Sequence, residues 1–123
     1  MQKEKSANRQ RKNVTLGSWR TSVSLEEQVW DGLVDVCRRE EISLDELCAA
    51  VEKRRVNSSR SSALRVFVMT YFRHSAELLE APDGGRIDAA GDRQSLFPGL
   101  LDATLNRFHT EQVATSHTRE DAG

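Results

Sequence analysis

The sequence predicts a mainly α-helical protein with one short β-strand per copy, in the order β-α-α plus a third helix, which a second copy must complete. Three features predict it. Trp19 to Leu25 alternates between two faces at period two. Two Ser-x-x-Glu sequences, Ser24 to Glu27 and Ser43 to Glu46, mark helix starts. Ser61 to Phe72 is apolar around most of a helical circumference, which requires cover on several sides.

The distribution of residues defines three regions. Residues 14–74 hold 27 of the 46 residues of types AVILMFWYC, so the folded domain is placed there. Residues 1–13 carry five Lys or Arg against one acid and read as a flexible basic arm. Residues 75–123 carry nine acids against four Arg and hold both prolines, Pro82 and Pro98. They read as a disordered acidic tail with a glycine-rich linker at 81–95 and a short helix near 99–109 built on Leu100, Leu101, Leu105 and Phe108. The whole chain is 123 residues long, room for about one domain, and its net charge of −1 hides this asymmetry.

Within the domain, Trp19, Thr21, Val23 and Leu25 are expected to face inward and Arg20, Ser22 and Ser24 outward. Gly17 suggests a bend before the strand, with Val14-Thr15-Leu16 as a further extended piece. Ser24 and Glu27 would cap the first helix, whose apolar residues Val29, Trp30, Leu33, Val34, Val36 and Cys37 recur at spacings of three and four. Ser43 and Glu46 would cap the second, with Ile42 stapled onto Leu47. Lys53-Arg54-Arg55 falls at its end, where cations suit the helix dipole without any ligand. A lone strand has unpaired edges, so a two-fold dimer is the economical solution.

No apolar run approaches a membrane span, and the charged start lacks the apolar stretch of a signal peptide, so a cytoplasmic protein is expected. Cys37 and Cys48 fall in helical apolar patterns and read as buried thiols, with no metal and no cofactor expected. His74, His109 and His117 lack a nucleophile, a phosphate-cradling loop or a carboxylate pair nearby in the pattern, so the chain reads as a non-enzyme.

The run Arg20-Thr21-Ser22-Val23-Ser24-Leu25-Glu26, a first helix, and then Ile42-Ser43-Leu44-Asp45-Glu46-Leu47 resembles the ribbon-helix-helix DNA-binding proteins. The longer stretches VTLGSWRTSVSLEEQVW and SSALRVFVMTYFR resemble a bacterial branch of that family with an added third helix. The resemblance implies an intertwined homodimer whose two strands form an antiparallel ribbon in the major groove of double-stranded DNA, with two or more dimers along repeated half-sites. It implies base contacts from Arg20, Ser22 and Ser24. It also implies a phosphate at the second helix's N-terminus, here Ser43 and Leu44, where backbone N–H groups and the helix dipole favour an anion.

Each expectation has a plainer alternative. Arg20 could be a solubilising edge charge and Ser24 a helix cap alone. The arm cations, Arg11 and Lys12 among them, would either contact phosphate or only solubilise the terminus. Glu40-Glu41 stands where the family often ends its first helix with glycine, and two acids there would repel phosphate unless they point away. The expected function is a sequence-specific transcriptional regulator. The alternative is an adaptor or antitoxin-like protein that binds a protein partner through its tail, using the acidic bias and the cluster at Leu100, Leu101, Leu105 and Phe108.

Overall fold

The computed structural model describes residues 8–80 and 99–122. Among them, two strands, β1 (Arg9–Leu16) and β2 (Trp19–Glu26), precede four helices, α1 (Glu27–Glu40), α2 (Leu44–Lys53), α3 (Arg60–Glu80) and α4 (Leu100–Ala122). The arm residues Lys3 and Lys5, the linker at 81–95 and Pro98 lie outside the described residues.

The mainly helical fold with a strand leading into helices is as expected, and β2 has a partner strand within its own chain. It pairs antiparallel with β1, from Arg9 opposite Glu26 to Leu16 opposite Trp19. Residues 9–13, expected in a flexible arm, are therefore the first half of a strand. Their charge conceals it, because the inward positions Gln10 and Lys12 are polar and only Val14 and Leu16 show the apolar half of the alternation. The connection is Gly17-Ser18, and Gly17 at φ 79° supplies the positive φ that a two-residue hairpin turn of the II′ type needs at its first position.

The strand also corrects the first helix start. Ser24 is still paired in β2, opposite Arg11, and α1 begins after Glu26 with no side-chain cap. The donor that a Ser24 cap would have satisfied is satisfied by β1 instead, since the Glu27 N–H donates to the Asn8 carbonyl at 2.7 Å. The second start is as expected. Ser43 Oγ accepts from the Glu46 N–H at 3.0 Å while Glu46 Oε1 accepts from the Ser43 N–H at 2.9 Å. Ile42 and Leu47 both join the core, Leu47 completely.

One chain closes its own core. Val14, Val23 and Leu25 of the sheet meet Trp30 and Leu33 of α1, Leu47 and Val51 of α2, and Leu64, Phe67 and Tyr71 of α3, all essentially buried. α1, α2, β2 and α4 of the same chain pack against α3, but they do not cover its whole apolar circumference: Val66 and Met69 remain exposed, at 37% and 62%. Against α1 the approach is close: a Cβ on Gly32 would stand 2.9 Å from Val68 Cγ1, so side-chain-free backbone is needed at this crossing.

The expected acidic tail is structured at both of its described parts. Residues 75–80 continue α3 and residues 100–122 form α4, longer than the short helix expected near 99–109. Leu100, Leu105 and Phe108 are buried, and the Phe108 ring meets Phe67 edge-on at 6.2 Å. Acidity predicted disorder here. Every third or fourth apolar residue was enough to bury one face against α3.

Candidate nucleic-acid interface

The register sorts the hairpin into two faces. Directly paired residues share a face, so Arg9, Arg11, Asn13 and Thr15 of β1 lie on one side with Glu26, Ser24, Ser22 and Arg20 of β2. Val14, Leu16, Val23 and Leu25 on the other side are buried. Arg20, Ser22 and Ser24 thus share the outward face, as the alternation predicts. Sequence reasoning missed the β1 half of that face, because it requires knowing that residues 9–13 are a strand.

The outward face is itself divided. Towards the helices, Glu26 accepts from Arg65 Nε and Nη2 at 2.9 and 3.2 Å and pairs with Arg9 at 3.5 Å. The Arg65 guanidinium holds the Glu26 carboxyl below the usual carboxylate range, with Arg9 adding to the effect. Ser24 is half-buried beside this network; its carbonyl accepts from Arg9 Nη2 at 3.1 Å and from Ser61 Oγ at 3.2 Å, and its hydroxyl lies 3.5 Å from Arg9 Nε. Towards the turn, Arg11, Asn13, Arg20 and Ser22 are exposed. Their side chains point into solvent with both donors and acceptors presented. Trp19, expected inward, is 46% exposed at the end of the hairpin and stacks under Arg60 at 5.0 Å, although Leu16 opposite it is buried.

Lys12 and Arg11 separate. Arg11 is on the outward face, whereas Lys12 is on the inward one, with its ammonium 5.5 Å from the Trp30 ring. Trp30 also donates Nε1–H to the Gln10 carbonyl at 2.9 Å, which fixes β1 on α1.

The N-terminus of α2 stands beside the ribbon. Asp45 Oδ1 accepts from the Thr15 N–H at 3.0 Å, and Thr15 is the residue opposite Arg20. The capping box occupies the N–H of Ser43 and of Glu46, so the first-turn donors that remain for an anion are those of Leu44 and Asp45. Asp45 and Glu46 offset the positive end of the helix dipole here. The preceding acids do not both crowd it: Glu40 turns towards the core and accepts from the Tyr71 hydroxyl at 2.7 Å. Glu41 ends α1 in the left-handed region at φ 58°, a conformation that favours glycine.

The cations at the end of α2 work locally. Arg54 Nη1 donates to the Ala50 carbonyl at 2.9 Å. Arg55 and Arg60 each grip Glu52 with two bonds between 2.8 and 3.1 Å, joining α2 to α3. Burial pushes the Cys48 thiol up to about 12 and raises Cys37 as well, so neither is a ready thiolate. Among the described residues no three or more His, Cys, Asp or Glu side chains gather as metal ligands, and no helix is long and apolar enough to cross a membrane.

Residues 9–72, just over half of the chain, match a family model described as a ribbon-helix-helix domain. The match begins at the first residue of β1 and stops within α3, so α4 lies outside it. No curated protein and no solved structure matches the chain.

Proposed function

The chain belongs to the ribbon-helix-helix family, whose members are generally DNA-binding regulators of transcription, and we propose that it is a sequence-specific regulator of this kind. Its outward ribbon face enters the major groove, which admits a two-stranded ribbon. The observation that carries the reading is the division of the hairpin: apolar residues are buried on one face, and the turn-proximal half of the other presents Arg20 and Ser22 to solvent. Arg20 reads a guanine edge through its two parallel donors, worth about 1–3 kcal/mol of discrimination, and Ser22 reads its neighbour less selectively. Ser24 contributes where its hydroxyl leaves Arg9.

Arg11 and the α2 N-terminus at Ser43 and Leu44 contact phosphate and set the orientation. Lys12 adds charge from the far side of the strand. Domains of this family generally bind DNA as dimers, and we propose that this chain binds DNA as a homodimer. The reading predicts a complex with DNA upstream of the chain's own gene that survives excess unrelated duplex in a gel shift. Loss of the complex to competitor in proportion to competitor mass would sink it.

The adaptor reading loses its main support. Leu100, Leu105 and Phe108, the residues expected to dock on another protein, are buried in this chain's own core.

A further inference from the structure

We infer that the face of α3 around Val66 and Met69 is a second patch of the dimer interface, packed against the same face of a second copy; the inference rests on the homodimer proposed above. The hairpin shows where that copy lies. A two-residue turn closes on the bonded pair Leu16 and Trp19, and open and bonded pairs alternate from there. Thr15 and Arg20 are therefore an open pair, and the Thr15 N–H accordingly points away from β2, to Asp45. Arg20, Ser22 and Ser24 likewise turn their backbone groups away from β1. Of these groups, the Ser24 carbonyl alone has a partner among the described residues, accepting from Ser61 Oγ and Arg9 Nη2. The outer edge of β2 is thus open to a second copy at Arg20 and Ser22.

The α3 helix stands at the helix-proximal end of that edge. Ser61 and Arg65 hold Ser24 and Glu26, and Met69 is the next residue of the same i, i+4 row. A copy related by a two-fold axis at β2 brings its own α3 towards this one, with the same patch on both sides. The face that it meets carries large apolar side chains that the chain's own elements leave in solvent, Met69 at 62% and Val66 at 37% exposure. Ser62, Val66, Met69, Arg73 and Ala76 recur at spacings of four and three, the spacing of a helix-on-helix seam, and Ser62 and Ala76 are small enough for close approach. Methionine at the centre of the seam adapts its shape to its own counterpart across the axis. The second copy thereby completes the cover that the apolar circumference of α3 requires.

Sedimentation equilibrium of the full-length chain without DNA tests this with the wild type, Met69→Asp and Val66→Asp, alongside Met69→Cys under mild oxidation. The wild type is expected to dimerise, and each aspartate to raise the dimer dissociation constant by roughly tenfold or more, because it sets like charges against each other at the two-fold contact. Met69→Cys is expected to give a reducible covalent dimer. Val113→Cys, also exposed but on α4, is expected to give none, and the native Cys37 and Cys48 are buried and contribute none. A dimeric wild type whose dissociation constant neither aspartate changes, or the lack of a covalent dimer from Met69→Cys, would overturn the inference while the homodimer and the DNA-binding reading stand. A wild type that stays monomeric would overturn the homodimer and the inference with it. Met69 is exposed and cysteine is a mild replacement there, so the cross-link decides the case where an aspartate variant fails to fold.

Discussion

Glu41 carries the clearest single-residue consequence. Its φ of 58° places a side chain where the Cβ meets backbone, a conformation that costs an ordinary residue roughly 1–2 kcal/mol. Glycine accepts it freely, although it loses more entropy on folding. Glu41→Gly should therefore raise stability by about 0.5–1 kcal/mol, read as a higher urea midpoint at unchanged slope; a lower midpoint would contradict the strained end of α1. The opposite substitution applies at the turn. Gly17→Ala has open space around it but the wrong φ, and should cost about 1 kcal/mol and fray the hairpin. The outward placement of Arg20 and Ser22 was legible at this scale because alternation encodes a face directly. The engagement of Ser24 by Arg9 and Ser61 was not, since both partners come from segments distant in sequence.

At the scale of elements, the Glu52 triad is the joint that sets α3 against α2. Arg55 and Arg60 hold the Glu52 carboxyl at about 2, down from the usual 4.5. The folded form thus binds this proton more weakly than the unfolded chain, so the triad stabilises fully above about pH 4.5 and its contribution fades as pH falls from there to about 2. Glu52→Gln should lower stability at neutral pH by about 1–3 kcal/mol and flatten the loss across that acid window in urea titrations at a series of pH values. An acid limb identical to the wild type would remove Glu52 from the account. The cap of α2 could be read from Ser43 and Glu46 because a capping box is local. That of α1 was misread for the complementary reason: its first donor is satisfied by Asn8, across the sheet.

For the whole molecule, the core is completed within one chain by two elements that charge had disguised, β1 by its cations and α4 by its acids. Both expectations treated charge density as a sign of disorder, and both overlooked that one buried face in each was sufficient to fold it. Phe108, fully buried against Phe67, makes this quantitative. Phe108→Ala should destabilise the fold by about 3–5 kcal/mol, as expected for an aromatic removed from a packed core, with loss of the cooperative thermal transition or a large fall in its midpoint. A loss below about 1 kcal/mol would mean that α4 is an appendage rather than a part of the domain.

The central claim is that the ribbon's solvent-facing side recognises base sequence, and its most direct measurement is the ratio of affinities for a selected and a scrambled duplex, at one fixed salt concentration, for the wild type and Arg20→Ala. The ratio is predicted to fall by roughly five- to hundredfold in the variant, with scrambled-duplex affinity changed far less. A ratio that Arg20→Ala leaves intact, in a wild-type chain that clearly discriminates, would contradict the assignment of that face.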